Sequence, residues 1–292
     1  MRKITGFLVI IIFLSCNRHN PDDGTKIITV SIAPFKYFVE EIAGKDFRIN
    51  VMVPPGSDPH IYEPYPEQIN SLRKSVAYIN NGYLGFEQAW LDRFYQINRT
   101  MKVLSLGEKI DLIFPEQIRE GKHIEGADPH YWVSPTCAMI MAESVKELLC
   151  ELKPEKNEIY EINYMTLLSK IKEIDENARR LFSEVKNKSF MIYHPNLGYL
   201  ARDYGLSEIT VEYEGKEPPP SRLKELIDLA VKDDLKTVFV QKEYDRKNAT
   251  EIAREIGADV EVIDPLSEYW LKETVNIITL LHQSFIKNQN SY

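Results

Sequence analysis

The sequence predicts an α/β fold of two lobes, each a mostly parallel sheet flanked by helices, the two joined by one long helix. Three observations carry that prediction. Short apolar runs rich in Val and Ile alternate with helical stretches, the pattern of a parallel sheet covered by helices. The alternation falls into two series of four strands, one on each side of a long helical region. The composition, 43% hydrophobic and 27% charged over 292 residues, suits two well-filled cores and not a disordered chain.

At the N-terminus, Arg2 and Lys3 precede an almost wholly apolar run from Gly6 to Leu14, followed by Ser15 and Cys16. Residues 1–15 therefore read as a secretory signal, because the run is about half as long as a spanning helix requires. Ser15-Cys16 resembles a bacterial lipobox, in which the cysteine is lipidated and becomes the new N-terminus, although Phe13 stands where a small aliphatic residue is usual. Segment 16–25, with Pro21, Asp22, Asp23 and Gly24, has the composition of a flexible tether, and His19 within it reads as solvated.

In the first series Ile27 to Ile32, Ile49 to Val53, Val76 to Ile79 and Val103 to Leu106 read as strands, with helices at Phe35 to Ile42, Pro66 to Lys74 and Phe86 to Ile97. Ser134-Pro135 then opens the helical region as an N-cap followed by proline at the first helical position. Pro154 interrupts it. From Glu155 to Val185 the residues Ile159, Ile162, Leu167, Ile171, Ile174, Ala178, Leu181 and Val185 recur at helical steps, predicting one buried stripe along a helix of roughly 45 Å. Its charged face reads as solvated. The second series has strands at Phe190 to Tyr193, Ile209 to Val211, Val238 to Val240 and Val260 to Ile263. Its helices are Leu197 to Tyr204, Ser221 to Val231, Ala249 to Ile256 and Trp270 to Ile286. The expected lobes are 26–153 and 188–292, linked by 154–187.

A formal charge of −8 offers no basic stripe to neutralise phosphates, so nucleic acid is not an expected partner. Cys137 and Cys150 fall on one predicted helix, roughly 20 Å apart, beyond disulfide reach, and read as core residues.

Chemistry concentrates in three of the six histidines: His60, His130 and His194. Asp58-Pro59-His60 and Asp128-Pro129-His130 repeat one motif, and His194 sits in Tyr193-His194-Pro195. Proline before a histidine fixes a backbone torsion and keeps the preceding aspartate extended, so each imidazole leaves a stiff loop in a defined direction. Two of the three follow predicted strands, where parallel sheets gather ligands. Three imidazoles and one carboxylate make a tetrahedral site for zinc or a related ion. Asp264, between an apolar strand and Pro265, is the best placed carboxylate, although it could also cap the last helix; Glu63, Glu212 and Glu243 are less well placed. Asp58 and Asp128 are candidates to hold the imidazoles from behind, or equally to form turns or cap helices. Tyr62, Tyr131 and Trp132 would wall the cleft or simply pack.

The chain resembles the zinc- and manganese-type solute-binding receptors of bacterial ABC transporters, the cluster A-I receptors, over Ile27 to about Ile286. The resemblance rests on Val53-Pro54-Pro55-Gly56-Ser57-Asp58-Pro59-His60 with Glu63-Pro64, on Asp128-Pro129-His130-Tyr131-Trp132, on Tyr193-His194-Pro195 followed by Tyr204-Gly205, and on Val240-Gln241 leading to Ile263-Asp264-Pro265-Leu266. It implies a metal site in the interlobe cleft, with His60, His130 and His194 as ligands and Asp264 as the fourth. Manganese-preferring relatives tend to carry a carboxylate where His194 stands, so the resemblance and three nitrogen donors both favour Zn2+ over Mn2+ or Fe2+. It further implies an exported, lipid-anchored, monomeric protein that hands its cargo to an ABC permease and its ATPase. The long His-rich loop of many zinc-type relatives is reduced here to Phe114 to Ala127 with only His123, which reads as a surface residue. A metal-bearing surface adhesin is a further reading. A zinc hydrolase, with Glu63 as general base, is the alternative from another class, but the sequence lacks His-Glu-x-x-His and Gly-x-Ser-x-Gly.

Overall fold

The computed structural model describes residues 25–114, 126–212 and 218–289. The signal segment, Cys16, His19 and His123 lie outside the described residues. Two parallel four-stranded sheets are present among the described residues. The first contains β1 (Ile27–Val30), β2 (Arg48–Val51), β3 (Ser75–Asn80) and β4 (Lys102–Ser105) in the order β2-β1-β3-β4, with helices α1 (Ala33–Ala43), α2 (Pro66–Arg73) and α3 (Gly85–Ile97) between them. Helices α4 (Pro135–Leu152) and α5 (Asn157–Ser183) lead to the second sheet. There β5 (Ser189–Ile192), β6 (Ser207–Thr210), β7 (Thr237–Gln241) and β8 (Asp259–Ile263) repeat the same order as β6-β5-β7-β8, with α6 (Gly198–Tyr204), α7 (Pro220–Lys232), α8 (Arg246–Ile256) and α9 (Trp270–Gln289). The sequence carries no visible repeat, yet the two sheets share one topology.

Each strand of the expected series is found, displaced at most by a few residues. Central strands β1 and β7 are buried at every position, as strands covered on both faces must be. Ser134 caps α4 by accepting from Thr136 N and Cys137 N, with Pro135 in the first turn as expected. Cys137 and Cys150 are free thiols, the first buried and the second half-buried. The stripe on α5 differs from the expected one at both ends, Leu181 being half-buried and Phe182 buried in its place. Ile159 and Ile162 point outward, and the buried line runs through Tyr160, Tyr164, Leu167, Ile171, Ile174, Ala178 and Phe182. Tyrosine can join a stripe of hydrophobic residues because its ring packs while its hydroxyl finds a polar partner; Tyr160 donates to Asp46 Oδ2 at 2.8 Å. The helix has 27 residues, about 40 Å at 1.5 Å per residue. It packs on α1 and α4 on one side and on α6 and α9 on the other, so one apolar core runs from the first sheet to the inner face of the second. A smaller core fills the outer side of the second sheet, around Met191, Leu226, Val238 and Ile252.

Direct hydrogen bonds stitch the two halves together beside the cleft. Trp132 Nε1 donates to the Pro265 carbonyl at 2.9 Å, and Trp270 Nε1 donates to the Trp132 carbonyl at 2.7 Å. The Tyr199 hydroxyl donates to the Asp128 carbonyl at 2.7 Å and accepts from Ile113 N at 3.0 Å.

Candidate metal centre

His60, His130 and His194 each leave a loop at the C-terminal side of a sheet, and each loop is fixed by its own neighbours. The repeated Asp-Pro-His motif makes the same turn twice: Asp58 Oδ1 accepts from His60 N at 2.8 Å and Asp128 Oδ1 accepts from His130 N at 2.9 Å. The His60 loop is further held where Phe86 N, in the first turn of α3, donates to the Pro59 carbonyl at 3.2 Å. Gly85 makes that approach possible, because a Cβ there would stand 2.3 Å from the His60 carbonyl oxygen. The His130 loop is gripped from β3: Asn81 Nδ2 donates to the Pro129 carbonyl at 2.8 Å and the Tyr131 hydroxyl donates to the Asn81 carbonyl at 2.7 Å. Asn81 is itself set by the fully buried Glu87, whose Oε1 accepts from Asn81 N at 2.8 Å and whose Oε2 accepts from Gly82 N. His194 lies two residues beyond β5. The buried amide of Gln241, at the end of β7, donates to the His194 carbonyl at 2.6 Å and accepts from His194 N at 3.3 Å. The His194 ring stacks on Tyr244 with centroids 4.9 Å apart and planes at 18°.

These loops bring the three imidazoles together. His60 Nε2 lies 3.3 Å from His130 Nε2 and 3.1 Å from His194 Nε2, and all three ligand atoms lie within 4.8 Å of one another. Nitrogens about 2.0–2.1 Å from a tetrahedral zinc ion are separated by about 3.3 Å, so this spacing fits one small cation. The tautomers agree. His130 Nδ1 donates to Asp128 Oδ1 at 2.7 Å and His194 Nδ1 donates to Glu212 Oε2 at 2.6 Å. A carboxylate only accepts, so both Nδ1 atoms carry the proton and both Nε2 lone pairs point inward. Burial, then the neighbouring His130 and His194, hold the His60 imidazole far below its usual range, to about 2, which keeps it neutral and able to ligate. Around the imidazoles Pro59, Trp132, Asn196, Glu243, Tyr244 and Leu266 line a cavity of about 10 Å³, room for one water-sized occupant.

Asp264, the expected fourth donor, is not part of that group. Strands β7 and β8 are neighbours, so Lys242 and Asp264 emerge side by side, and Lys242 Nζ lies 2.9 Å from Asp264 Oδ2. Nor does Asp264 cap α9; its backbone N–H donates to Glu273 Oε1 at 2.9 Å. Glu63 is exposed and stands apart from the cavity. Asp58 makes the turn, while Asp128 serves both its turn and the imidazole. Tyr131 and Trp132 are buried, and Trp132 alone of the expected aromatic wall lines the cavity; Tyr62 packs on Phe86 and Tyr65.

The family model described as ZnuA, zinc-uptake complex component A, periplasmic, matches residues 28–283. The chain is a member of the ZnuA family. A crystal structure of ZnuA superimposes on this ZnuA-family chain with a TM-score of 0.83 at 36% identity, covering 89% of this chain and 99% of that one. The zinc-binding lipoprotein AdcA of Streptococcus pneumoniae (strain ATCC BAA-255 / R6) is 25% identical over 289 residues, 94% of this chain. The match spans only 57% of AdcA, so the chain corresponds to little more than half of that relative. The iron-binding protein YfeA of Yersinia pestis is 27% identical over 278 residues, 90% of this chain and 86% of YfeA.

Several residues of this ZnuA-family site escaped the sequence reading in their actual roles. Glu212 was weighed as a metal donor and instead holds an imidazole from behind. Gln241, Tyr244 and Asn81 carry no local signature, since each acts on a histidine loop more than 40 residues away in the chain, and Glu87 reaches the His130 loop only through Asn81.

Proposed function

We propose that this ZnuA-family chain captures Zn2+ outside the cytoplasmic membrane and delivers it to an ABC permease and its ATPase. His60, His130 and His194 are the ligands in this reading. The observation that carries it is the convergence of three Nε2 atoms on one point, two of them with their Nδ1 protons already committed to Asp128 and Glu212. An all-nitrogen trio suits zinc better than manganese, which favours oxygen. The zinc-binding relative AdcA and the ZnuA family supply the same direction independently. Because YfeA is an iron-binding protein, Fe2+ or Mn2+ remains the second reading within the same site.

The mechanism is capture and release with no bond broken. A cavity of about 10 Å³ among the imidazoles has room for one water-sized occupant, which suits an ion as cargo. Residues 1–15 as a signal, lipidation of Cys16 and the tether 16–25 would keep a monomeric receptor at the membrane surface. The division into 26–153, 154–187 and 188–292 assigns α5 the joining role. Titration calorimetry with zinc, followed by competition against manganese and iron, tests the reading: tight, near-stoichiometric zinc binding is expected, and none at neutral pH would refute it.

A further inference from the structure

The carboxylates near the imidazoles are told apart by their partners; Glu208, for one, accepts from Leu197 N at 2.8 Å. Asp128 and Glu212 are committed to imidazole Nδ1 atoms, at 2.7 and 2.6 Å. Asp58 accepts from the His60 backbone, and Asp264 pairs with Lys242 Nζ at 2.9 Å. Glu243, two residues beyond β7, is different. It lines the cavity together with all three histidines, it is half-buried, and no Lys or Arg of the described residues pairs with its carboxylate. Lys242 lies close enough to act on it through space, yet its ammonium is paired with Asp264, so a divalent ion among the imidazoles would add a compensating charge to a half-buried carboxylate.

We propose that Glu243 supplies the fourth donor, a carboxylate oxygen, to the metal held by His60, His130 and His194. This rests on the reading of the trio as a zinc centre. Three neutral nitrogens leave one tetrahedral corner for an anionic or neutral oxygen donor. The Glu243 oxygens stand outside the group of atoms within 4.8 Å, so the side chain closes on the ion by turning about its torsions, giving up the hydrogen bond to its own backbone N–H. Asp264 would first have to leave Lys242. Asn196 also lines the cavity and its Oδ1 is buried without a partner, but a neutral amide oxygen brings no charge to offset the ion.

The test is zinc affinity by chelator competition for the wild type and for Glu243→Ala, Glu243→Gln, Asp264→Ala, Asn196→Ala and His194→Ala, with visible absorption of the Co2+-loaded proteins. Metal-free melting temperatures establish that each variant is folded, and the isosteric Glu243→Gln stands in should the alanine variant fail to fold. Glu243 variants are expected to bind zinc about tenfold or more weakly and to shift the cobalt bands, while Asp264→Ala and Asn196→Ala stay within about threefold of wild type. Glu243 variants that bind like wild type with an unchanged cobalt spectrum overturn the proposal, as does a larger loss in Asp264→Ala or Asn196→Ala. Should the proposal be overturned in this way while wild type binds zinc and His194→Ala does not, only the role of Glu243 falls; absence of zinc binding by wild type removes the zinc centre as well.

Discussion

Trp132 and Trp270 are hydrogen-bonded through their indole and backbone: Trp270 Nε1 donates to the Trp132 carbonyl at 2.7 Å, and both side chains are buried. Trp132 sits two residues after His130, with ring centroids 5.3 Å apart, while Trp270 opens α9 in the second half. The bond therefore ties the wall of the cavity to the opposite lobe. Trp270→Phe keeps much of the ring volume but leaves that carbonyl buried and unpaired, at a cost of about 1–3 kcal/mol. Urea denaturation of the metal-free protein should show the loss; an unchanged midpoint would mean the carbonyl finds another donor.

Zinc should stabilise the folded protein by mass action. At a free concentration about 1,000-fold above the dissociation constant the gain is about 4 kcal/mol, read as a rise in Tm. His194→Ala should lower affinity by orders of magnitude and abolish most of that rise at the same zinc concentration. A wild-type Tm indifferent to zinc would contradict the model.

Removing the carboxylate behind an imidazole should be milder than removing the imidazole. Glu212→Ala frees the His194 Nδ1 proton from a partner at 2.6 Å, so the ring loses its set tautomer and orientation. Zinc affinity should fall by about 10–100-fold, with the calorimetric stoichiometry retained. An affinity equal to wild type would show that stacking on Tyr244 alone orients the ring.

Stability should also depend on pH through Glu87. Burial pushes its carboxyl up to about 7, against the lowering effect of the Ser31 hydroxyl and the Asn81 and Gly82 N–H groups, from an ordinary value of 4.5. The folded-state value lies above the unfolded one, so the stabilisation is fully present below about pH 4.5 and is lost as pH rises through about 7. The loss is on the order of 3 kcal/mol. Glu87→Gln cannot titrate. Measured with a chelator present, the stability of wild type relative to Glu87→Gln should decline between pH 4.5 and 8; a pH-independent difference would rule this out.

Most of the fold was legible because its signals are local. Strands such as Ile27–Val30 and Thr237–Gln241 are short apolar runs buried on both faces, and Ser134-Pro135 marks the start of α4 through the chemistry of one hydroxyl and one ring. The ends of the α5 stripe were less legible: counting only aliphatic residues selected Ile159 and Ile162, whereas Tyr160 and Tyr164 are the buried ones. The candidate histidines stood out because Asp-Pro before His60 and His130, and Pro195 after His194, leave few conformations to each loop.

By itself the sequence determined which side chains can ligate and how their loops turn, since the Asp-Pro-His turn closes over two residues and depends on nothing remote. Tertiary structure alone decided which carboxylate meets which partner. Asp264 went to Lys242 because β7 and β8 lie side by side, Glu212 went to His194 because β6 lies beside β5, and Glu243 was left at the cavity with no ion-pair partner among the described residues. A carboxylate's role is set by the nearest positive charge or donor in space, and strand order, not chain order, places that neighbour.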